Sequence, residues 1–174
     1  PHLCYIEGLK SYGGCRLCVV KIVGDRKPYQ TSCSTPAKDG MEVITKDEEL
    51  QDMRRNVIQM IVSEHPNNCL VCEHGAKCKD LEKLHKESPS KRVFGCFSCP
   101  SKEFCELREI VEYLEINELE YDLEYHNFPQ ENDDLFFNRD YNLCILCGKC
   151  VRACSDLRGV HAIDLMNRGH DTRV

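Results

Sequence analysis

The sequence predicts an α+β protein made of small domains in succession. Two short runs rich in β-branched residues, 18–23 and 41–45, predict strands in a glycine-punctuated N-terminal part. Two amphipathic stretches, which begin near residues 46 and 106, predict helices in the middle. The chain has 14 cysteines among 174 residues, which is typical either of a disulfide scaffold or of a metal protein. Their short spacings favour metal binding, because neighbouring C-x2-C pairs chelate a metal and do not cross-link a fold.

The N-terminal part holds four cysteines with the spacing C-x10-C-x2-C-x14-C, a looser relative of the plant-type [2Fe–2S] pattern. The candidate ligands are Cys4, Cys15, Cys18 and Cys33. Glycines between the first two cysteines would let backbone N–H groups fold over the sulfurs and tune the reduction potential. The alternative is a set of four ordinary buried cysteines.

A helix of about 17 residues follows, according to its capping and its apolar period. Thr45 and Glu48 form a capping box, and Pro66 ends the helix. The residues expected on the apolar face are Leu50, Met53, Val57, Ile58 and Ile61.

The end of this helix carries a histidine followed by three cysteines, in the pattern H-x3-C-x2-C-x5-C. The candidate ligands of a [4Fe–4S] cluster are His65, Cys69, Cys72 and Cys78. A neutral imidazole in place of one thiolate removes a negative charge, so we expect a higher potential than at an all-cysteine site, as in Rieske centres.

A second C-x2-C-x5-C triad repeats this spacing without the histidine, since Arg92 stands at the matching position. The triad is Cys96, Cys99 and Cys105. No fourth ligand is evident, and His85 and His126 are candidates. Three interpretations stay open: another [4Fe–4S] cluster, a Cys3His zinc site, or two triads distributed over clusters in a way that spacing does not show.

The next segment predicts a helix over 106–119, with Leu107, Ile110, Val111 and Leu114 on one face. The chain from 112 to 134 is acidic, which indicates either a solvated connector or a docking surface for a basic partner. We expect the aromatic residues Phe136, Phe137 and Tyr141 to shield the following motif from water. After that motif, 160–166 predicts a turn and a short strand.

The last motif has the spacing C-x2-C-x2-C-x3-C, that of the bacterial ferredoxin run which holds [4Fe–4S] clusters. Its ligands would be Cys144, Cys147, Cys150 and Cys154. The fourth cysteine of such a run serves the other cluster in two-cluster ferredoxins. Zinc fits less well, because it prefers two C-x2-C pairs set apart.

Composition excludes several functions. The net charge of −6 argues against a nucleic-acid partner. No stretch approaches the ~20 apolar residues of a membrane span, and no signal peptide is visible, so a reducing cytoplasm is expected. No G-x-G-x-x-G, P-loop or nucleophile elbow occurs, so the only visible chemistry is redox. A multi-zinc interaction scaffold is the alternative function, whereas a disulfide-stapled secreted protein disagrees with the spacing.

Together the motifs resemble the N-terminal iron–sulfur region of the large iron–sulfur subunit of respiratory complex I. The run from Leu143 to Cys154 and the segment 159–172 are most similar to the versions in NAD-linked, often electron-bifurcating, [FeFe]-hydrogenases, formate dehydrogenases and related transhydrogenases. The resemblance implies a partial β-grasp [2Fe–2S] domain at 1–45, a small helical His/Cys-ligated [4Fe–4S] domain at 46–125 and a ferredoxin-like [4Fe–4S] domain at 126–174.

The resemblance also implies an electron relay in a multi-subunit oxidoreductase. Its expected partners are a flavin- and NAD(P)-binding subunit, a small [2Fe–2S] subunit, and a terminal redox subunit or ferredoxin. Relatives carry a β-hairpin and helix before the motif that matches Pro1–Cys4, and a second ferredoxin run after the first, so we expect a fragment of a longer subunit. The triad 96–105 departs from the family pattern, and the sequence after Cys105 resembles the segment that normally follows the His-ligated motif.

Overall fold

The computed structural model shows an α+β chain that divides into two compact units. The first unit comprises Pro1–Val57 with Leu146–Val174, and the second comprises Ile58–Ile145. The described residues are 1–66, 68–71, 96, 99–122, 124, 126, 128–129, 131 and 134–174. The predictions for Cys72, Cys78, His85 and Arg92 fall outside these residues.

A three-stranded antiparallel sheet lies in the first unit. Strands β1 (Val19–Ile22), β2 (Tyr29–Thr31) and β3 (Val43–Ile44) are arranged in the order β2-β1-β3. Val19 pairs with Thr31 on one side of β1, and Lys21 pairs with Ile44 on the other. The two predicted strands are confirmed, but β2 was missed because Tyr-Gln-Thr after a proline is too short to show alternation.

Helix α1 spans Glu48–Ser63, close to the predicted length. Its N-terminus is capped by Asp47, whose side-chain oxygen accepts from the Leu50 N–H at 2.7 Å. The predicted cap at Thr45 is therefore wrong, because an aspartate three residues before a free N–H is an equally strong acceptor in the right place. Acidic residues in the first turn also favour this end of the helix dipole.

The buried face of α1 is partly polar. Leu50 and Ile58 are fully buried as predicted, but Met53 is only half-buried. Arg54 and Gln59, which the apolar pattern assigned to solvent, are each 3% exposed. Burial of such groups requires hydrogen-bond partners, so these two residues mark where the helix binds backbone of other segments.

Helix α2 (Glu106–Tyr113) forms the core of the second unit. Its predicted apolar face is confirmed, since Leu107, Ile110, Val111 and Leu114 are all buried. The helix is shorter than the predicted 106–119, because Leu114 is its C-cap and Glu115 adopts a left-handed φ of 56°. Each buried aliphatic side chain contributes about 1.5–3 kcal/mol to folding.

The acidic segment after α2 runs along the end of α1. The Glu120 N–H donates to the Gln59 side-chain oxygen at 2.7 Å, and the Gln59 amide donates back to the Glu120 carboxylate at 3.0 Å. The Glu124 N–H donates to the Ser63 carbonyl at 2.9 Å. These contacts tie the segment to the end of α1, while most of its described residues are exposed.

Two of the three aromatic residues that were expected to shield the ferredoxin run, Phe136 and Phe137, are exposed, whereas Tyr141 is half-buried. Phe136 is 91% exposed and Phe137 is 49% exposed, beside Leu135 at 95%. The Phe136 N–H binds the Asp134 side chain at 2.8 Å, which closes a local turn and turns the rings outward.

The C-terminal part of the first unit begins with the short helix α3 (Lys149–Arg152), which continues as a π-helix over Ala153–Leu157. The predicted strand over 160–166 is not formed: the segment is exposed, and only Met166 makes a bridge, with Arg173. No helix among the described residues is long and apolar enough to cross a lipid bilayer.

Candidate metal centres

The structure brings together the four cysteines of the N-terminal part. Cys4 lies in the first loop, Cys15 and Cys18 precede β1, and Cys33 follows β2. The Cys15 N–H points at the Cys4 sulfur at 3.5 Å, and the Leu3 N–H points at the Cys15 sulfur at 3.4 Å. The pairing of β1 with β2 brings the loop of Cys15 and Cys18 next to the loop of Cys33.

Contacts among these thiols shift their pKa values. Burial raises the pKa of Cys4 and of Cys33, and hydrogen bonds with Cys15 and Cys18, respectively, raise them further. Burial also opposes ionisation of Cys15, but the N–H groups of Cys4 and of Leu3 outweigh it and lower its pKa. In such a pair one thiol is hydrogen-bonded to the other, and a metal ion that binds both converts both to thiolates.

Two glycines supply N–H donors to this sulfur cluster, as predicted. Gly13 donates towards Cys33 and Gly14 towards Cys4, which favours the thiolate forms. Gly13 has a φ of 68°, and a Cβ there would lie 3.4 Å from the Ser34 hydroxyl. Sulfur ligands that accept backbone N–H groups are a usual means of tuning an iron–sulfur potential. The donor set therefore fits a [2Fe–2S] cluster.

Arg54 anchors this cysteine loop to helix α1. Its Nε donates to the Leu17 carbonyl at 3.2 Å, and its Nη2 donates to the carbonyls of Val19 at 2.7 Å and Thr45 at 2.9 Å. The first two carbonyls flank Cys18. The guanidinium therefore fixes the backbone on both sides of one cluster ligand, and it places a buried positive charge behind the site.

The ferredoxin run forms a tight left-handed turn before α3. Leu146 has a φ of 51° and Gly148 a φ of 68°, so the chain reverses between Cys147 and Cys150. Cys154, in the π-helix, accepts from the Ala162 N–H at 3.2 Å. These three cysteines belong to the first unit, whereas Cys144 is exposed at the end of a 3-10 turn in the second unit.

Arg152 connects the ferredoxin run to the N-terminal loop within the first unit. Its guanidinium donates to the carbonyls of Cys4 and, at 2.9 Å, of Lys10, and it lies over the Tyr12 ring at 5.4 Å. Its Nε is buried and has no acceptor among the described residues. The helix that carries Cys150 is thus held against the loop that carries the first [2Fe–2S] ligand.

His65 stands at the end of α1 in the second unit, where its N–H binds the Val62 carbonyl at 3.0 Å. Burial lowers its pKa to about 4, so the imidazole is neutral near pH 7 and able to coordinate a metal. Cys69 follows in a 3-10 turn, Asn68–Leu70. His126, the other histidine weighed as a ligand, contacts Glu64 at 3.5 Å and stacks on Phe128.

Cys69 of the first triad lies against Cys96 of the second. The Cys96 thiol donates a hydrogen bond to Cys69 and lowers its pKa to about 6, although burial opposes this shift. The same hydrogen bond, followed by burial, raises the pKa of Cys96. Both residues are buried, at 7% and 3% exposure. Cys69 of the first triad and Cys96 of the second are therefore in direct contact.

Cys105 and Arg108 lie at the N-terminus of α2. Cys105 is the N-cap, and its sulfur accepts from the Arg108 N–H at 3.4 Å. The Arg108 guanidinium lies beside Cys96, whose hydrogen bond raises the pKa of Arg108, and the charges of Cys96 and Cys105 raise it further. Sequence reasoning missed Arg108 and Arg54, because an arginine on a helix looks solvated until its partners from other segments are known.

Comparisons with known proteins agree with these sites. Residues 1–48 match the 2Fe-2S iron-sulfur cluster binding domain. Residues 54–80 match the NADH-ubiquinone oxidoreductase-G iron-sulfur binding region. Both matches were expected from the motifs, and neither covers the triad at Cys96, Cys99 and Cys105.

Relatives match almost the whole chain. The alpha subunit of NADPH-Fe(3+) oxidoreductase from Geobacter sulfurreducens is 31% identical over 100% of this chain and 17% of its own length. The NADP-reducing hydrogenase subunit HndD of Solidesulfovibrio fructosivorans is 28% identical over 97% of this chain and 25% of its own length. The chain therefore spans a quarter or less of these two relatives.

A solved structure of an NAD+-reducing [NiFe]-hydrogenase in the H2-reduced state superposes with a TM-score of 0.72 and 29% identity, over 99% of this chain and 61% of that chain. The predicted resemblance is confirmed. The chain carries a 2Fe–2S cluster binding domain followed by an iron–sulfur binding region of the NADH-ubiquinone oxidoreductase-G type, and it is similar throughout to subunits of NAD(P)-linked oxidoreductases.

Proposed function

We propose that this chain is an electron relay in a multi-subunit, NAD(P)-linked oxidoreductase. It would pass single electrons between a flavin subunit that handles NAD(P)H and a low-potential redox partner, as in bifurcating hydrogenases, formate dehydrogenases or transhydrogenases. The convergence of Cys4, Cys15, Cys18 and Cys33 under backbone N–H donors is the observation that carries this proposal. A cluster in such a site accepts and returns one electron, and no substrate needs to bind beside it.

The finer assignments form part of the same proposal. The sheet β2-β1-β3 and its loops would be a partial β-grasp [2Fe–2S] domain, and the ferredoxin run would hold a [4Fe–4S] cluster. Arg152 supports an electron path between these two centres, because it binds the Cys4 carbonyl from the helix that carries Cys150. The implied partners are a flavin subunit, a small [2Fe–2S] subunit, and a terminal redox subunit or ferredoxin, in the cytoplasm.

Metal content and electron transfer test the proposal. The chain is purified without air, and its iron, acid-labile sulfide and zinc are measured. We expect a brown protein with iron and sulfide, which a flavoprotein NAD(P)H dehydrogenase reduces and a ferredoxin reoxidises. NAD(P)H alone should leave its absorbance unchanged, since the visible motifs include no nucleotide site. A colourless protein that holds zinc would contradict the relay and support the multi-zinc scaffold.

A further inference from the structure

The two cysteine triads of the second unit share one site in the structure. Cys69 belongs to the first triad and Cys96 to the second, yet their thiols are hydrogen-bonded to each other and both are buried. The Cys96 backbone N–H also donates to the Cys69 sulfur. Two sulfurs in direct contact, one of them under a backbone N–H group, are arranged like the ligands of the N-terminal cluster.

The third sulfur comes from the start of α2. Cys105 caps this helix through the Arg108 N–H, at 3.4 Å from the sulfur. A thiolate at a helix N-terminus is stabilised by the positive end of the dipole. The helix itself is fixed by buried Leu107, Ile110 and Val111, so the position of Cys105 is set by the core of the unit.

Arg108 places a positive charge beside Cys96 and close to Cys105. Its backbone contacts Cys105, its guanidinium lies beside Cys96, and its Nη1 donates to the Lys102 carbonyl at 3.4 Å. Its Nε and Nη2 are buried without an oxygen or nitrogen acceptor among the described residues. Arg108 is half-buried, and a guanidinium that is partly removed from water is stabilised by a negative charge beside it. A cluster with thiolate ligands would supply that charge.

We propose that Cys69, Cys96 and Cys105 are thiolate ligands of one iron–sulfur cluster, assembled from both triads, with Arg108 as its counter-charge. The H-x3-C spacing keeps His65 beside Cys69 as the candidate fourth ligand. The iron–sulfur nature of this site rests on the proposed function, but the ligand set does not. The alternative set from spacing alone combines His65 and Cys69 with Cys72 and Cys78.

Serine variants separate the two ligand sets. Cys96→Ser and Cys105→Ser are compared with Cys72→Ser and Cys78→Ser in anaerobically purified protein, by iron content and low-temperature EPR after reduction. We expect Cys96→Ser and Cys105→Ser each to lose the iron and the EPR signal of one cluster, while the [2Fe–2S] signal stays and reports an intact fold. Full iron and unchanged EPR in both variants would overturn the proposal.

Arg108 provides a second test that does not depend on cluster loss. Arg108→Leu should shift the midpoint potential of that cluster to lower values, because reduction then adds an electron without a nearby positive charge. Arg108→Lys should restore part of the shift. Arg139→Leu is the matched control in the same unit, since Arg139 pairs with Glu131 on the surface. Equal midpoints in the wild type, Arg108→Leu and Arg139→Leu would contradict the role of Arg108.

The tests distinguish two kinds of failure. If the wild type contains no iron at all, the proposed function fails with the inference. If the wild type shows a [2Fe–2S] signal but the Cys96→Ser and Cys105→Ser variants keep every other signal, only the ligand assignment fails. Zinc lost from these variants in place of iron would overturn the redox nature of this one site.

Discussion

Two arginines lie beside the cysteine sites, the buried Arg54 in the first unit and the half-buried Arg108 in the second, and their surroundings differ. Arg54 donates to three backbone carbonyls and to the Gln51 side chain, so its donors are well used without a cofactor. Arg108 has one carbonyl partner at 3.4 Å and two buried nitrogens with no oxygen or nitrogen acceptor among the described residues. Arg54 therefore binds protein backbone, whereas Arg108 lies beside the cysteine Cys96.

This difference predicts opposite consequences of removing each charge. Loss of Arg54 should mainly affect folding of the first unit, because the carbonyls around Cys18 lose their donors. Loss of Arg108 should mainly affect the potential of a cluster, because few protein groups depend on it. Arg54→Met tests the first half of this contrast, and the Arg108→Leu variant described above tests the second.

Arg54→Met should lower the free energy of unfolding of the first unit by about 3–5 kcal/mol, since it leaves three carbonyls without their donor in a buried place. The measurement is anaerobic denaturant unfolding, followed by the visible absorbance of the clusters. Arg55→Gln is the control on the next position: its ion pair with Asp52 is exposed, so we expect a change within ~0.5 kcal/mol. Similar unfolding midpoints for both variants would refute an anchoring role of Arg54.

Gly13→Ala should destabilise the first unit by about 1–2 kcal/mol, because an L-residue is strained at a φ of 68°. The new Cβ also approaches Ser34, next to Cys33, so the [2Fe–2S] midpoint should move. Gly24→Ala has the same kind of strain, at a φ of 78°, but its Cβ would meet nothing within 4 Å. We therefore expect Gly24→Ala to lower stability without any change of midpoint. Equal [2Fe–2S] midpoints in Gly13→Ala and Gly24→Ala would show that the contact with Ser34 does not influence the potential.

Arg152→Gln should destabilise the first unit by about 1 kcal/mol, through loss of charge-assisted hydrogen bonds to the carbonyls of Cys4 and Lys10. Removal of the positive charge should also lower the midpoint potential of the [2Fe–2S] cluster. Arg152→Lys retains the charge, so its midpoint potential should stay closer to that of the wild type. Arg158→Gln, on the exposed end of the same segment, is the control. EPR-monitored redox titration measures the shift. Identical titration curves for Arg152→Gln and Arg158→Gln would show that the Arg152 charge does not affect the [2Fe–2S] potential.

His65→Cys should lower the potential of one cluster in the second unit with little effect on the other centres, because a thiolate replaces a neutral imidazole. His126→Asn is the control, since His126 contacts Glu64 and Phe128. An unchanged set of midpoints in the His65→Cys variant would show that His65 is not a ligand.

The sequence predicts those features that depend on local spacing. The four cysteines of the first unit, the strands around residues 19–22 and 43–44, and the apolar face of α2 all follow from short-range patterns. The strand Tyr29–Thr31 does not, because its three residues pair only when β1 is already in place.

Two kinds of contact lie beyond such patterns. Arg54 is buried because backbone carbonyls from separate segments accept its hydrogen bonds. The residues next to it on α1 do not predict these partners. Cys69 meets Cys96 across a long intervening stretch, whereas spacing alone groups each with its own triad. The sequence leaves three interpretations of the triads open, and the contact between Cys69 and Cys96 is the observation on which our proposal of a shared site rests.

The most direct test of the relay compares Cys15→Ala with Cys147→Ala by EPR of the reduced, anaerobically purified protein. If the centres are separate and serve only to pass electrons, Cys15→Ala loses the slowly relaxing [2Fe–2S] signal and keeps the [4Fe–4S] signals. Cys147→Ala should do the reverse and lose one [4Fe–4S] signal. Loss of all signals in either variant, or of none in both, would contradict the account.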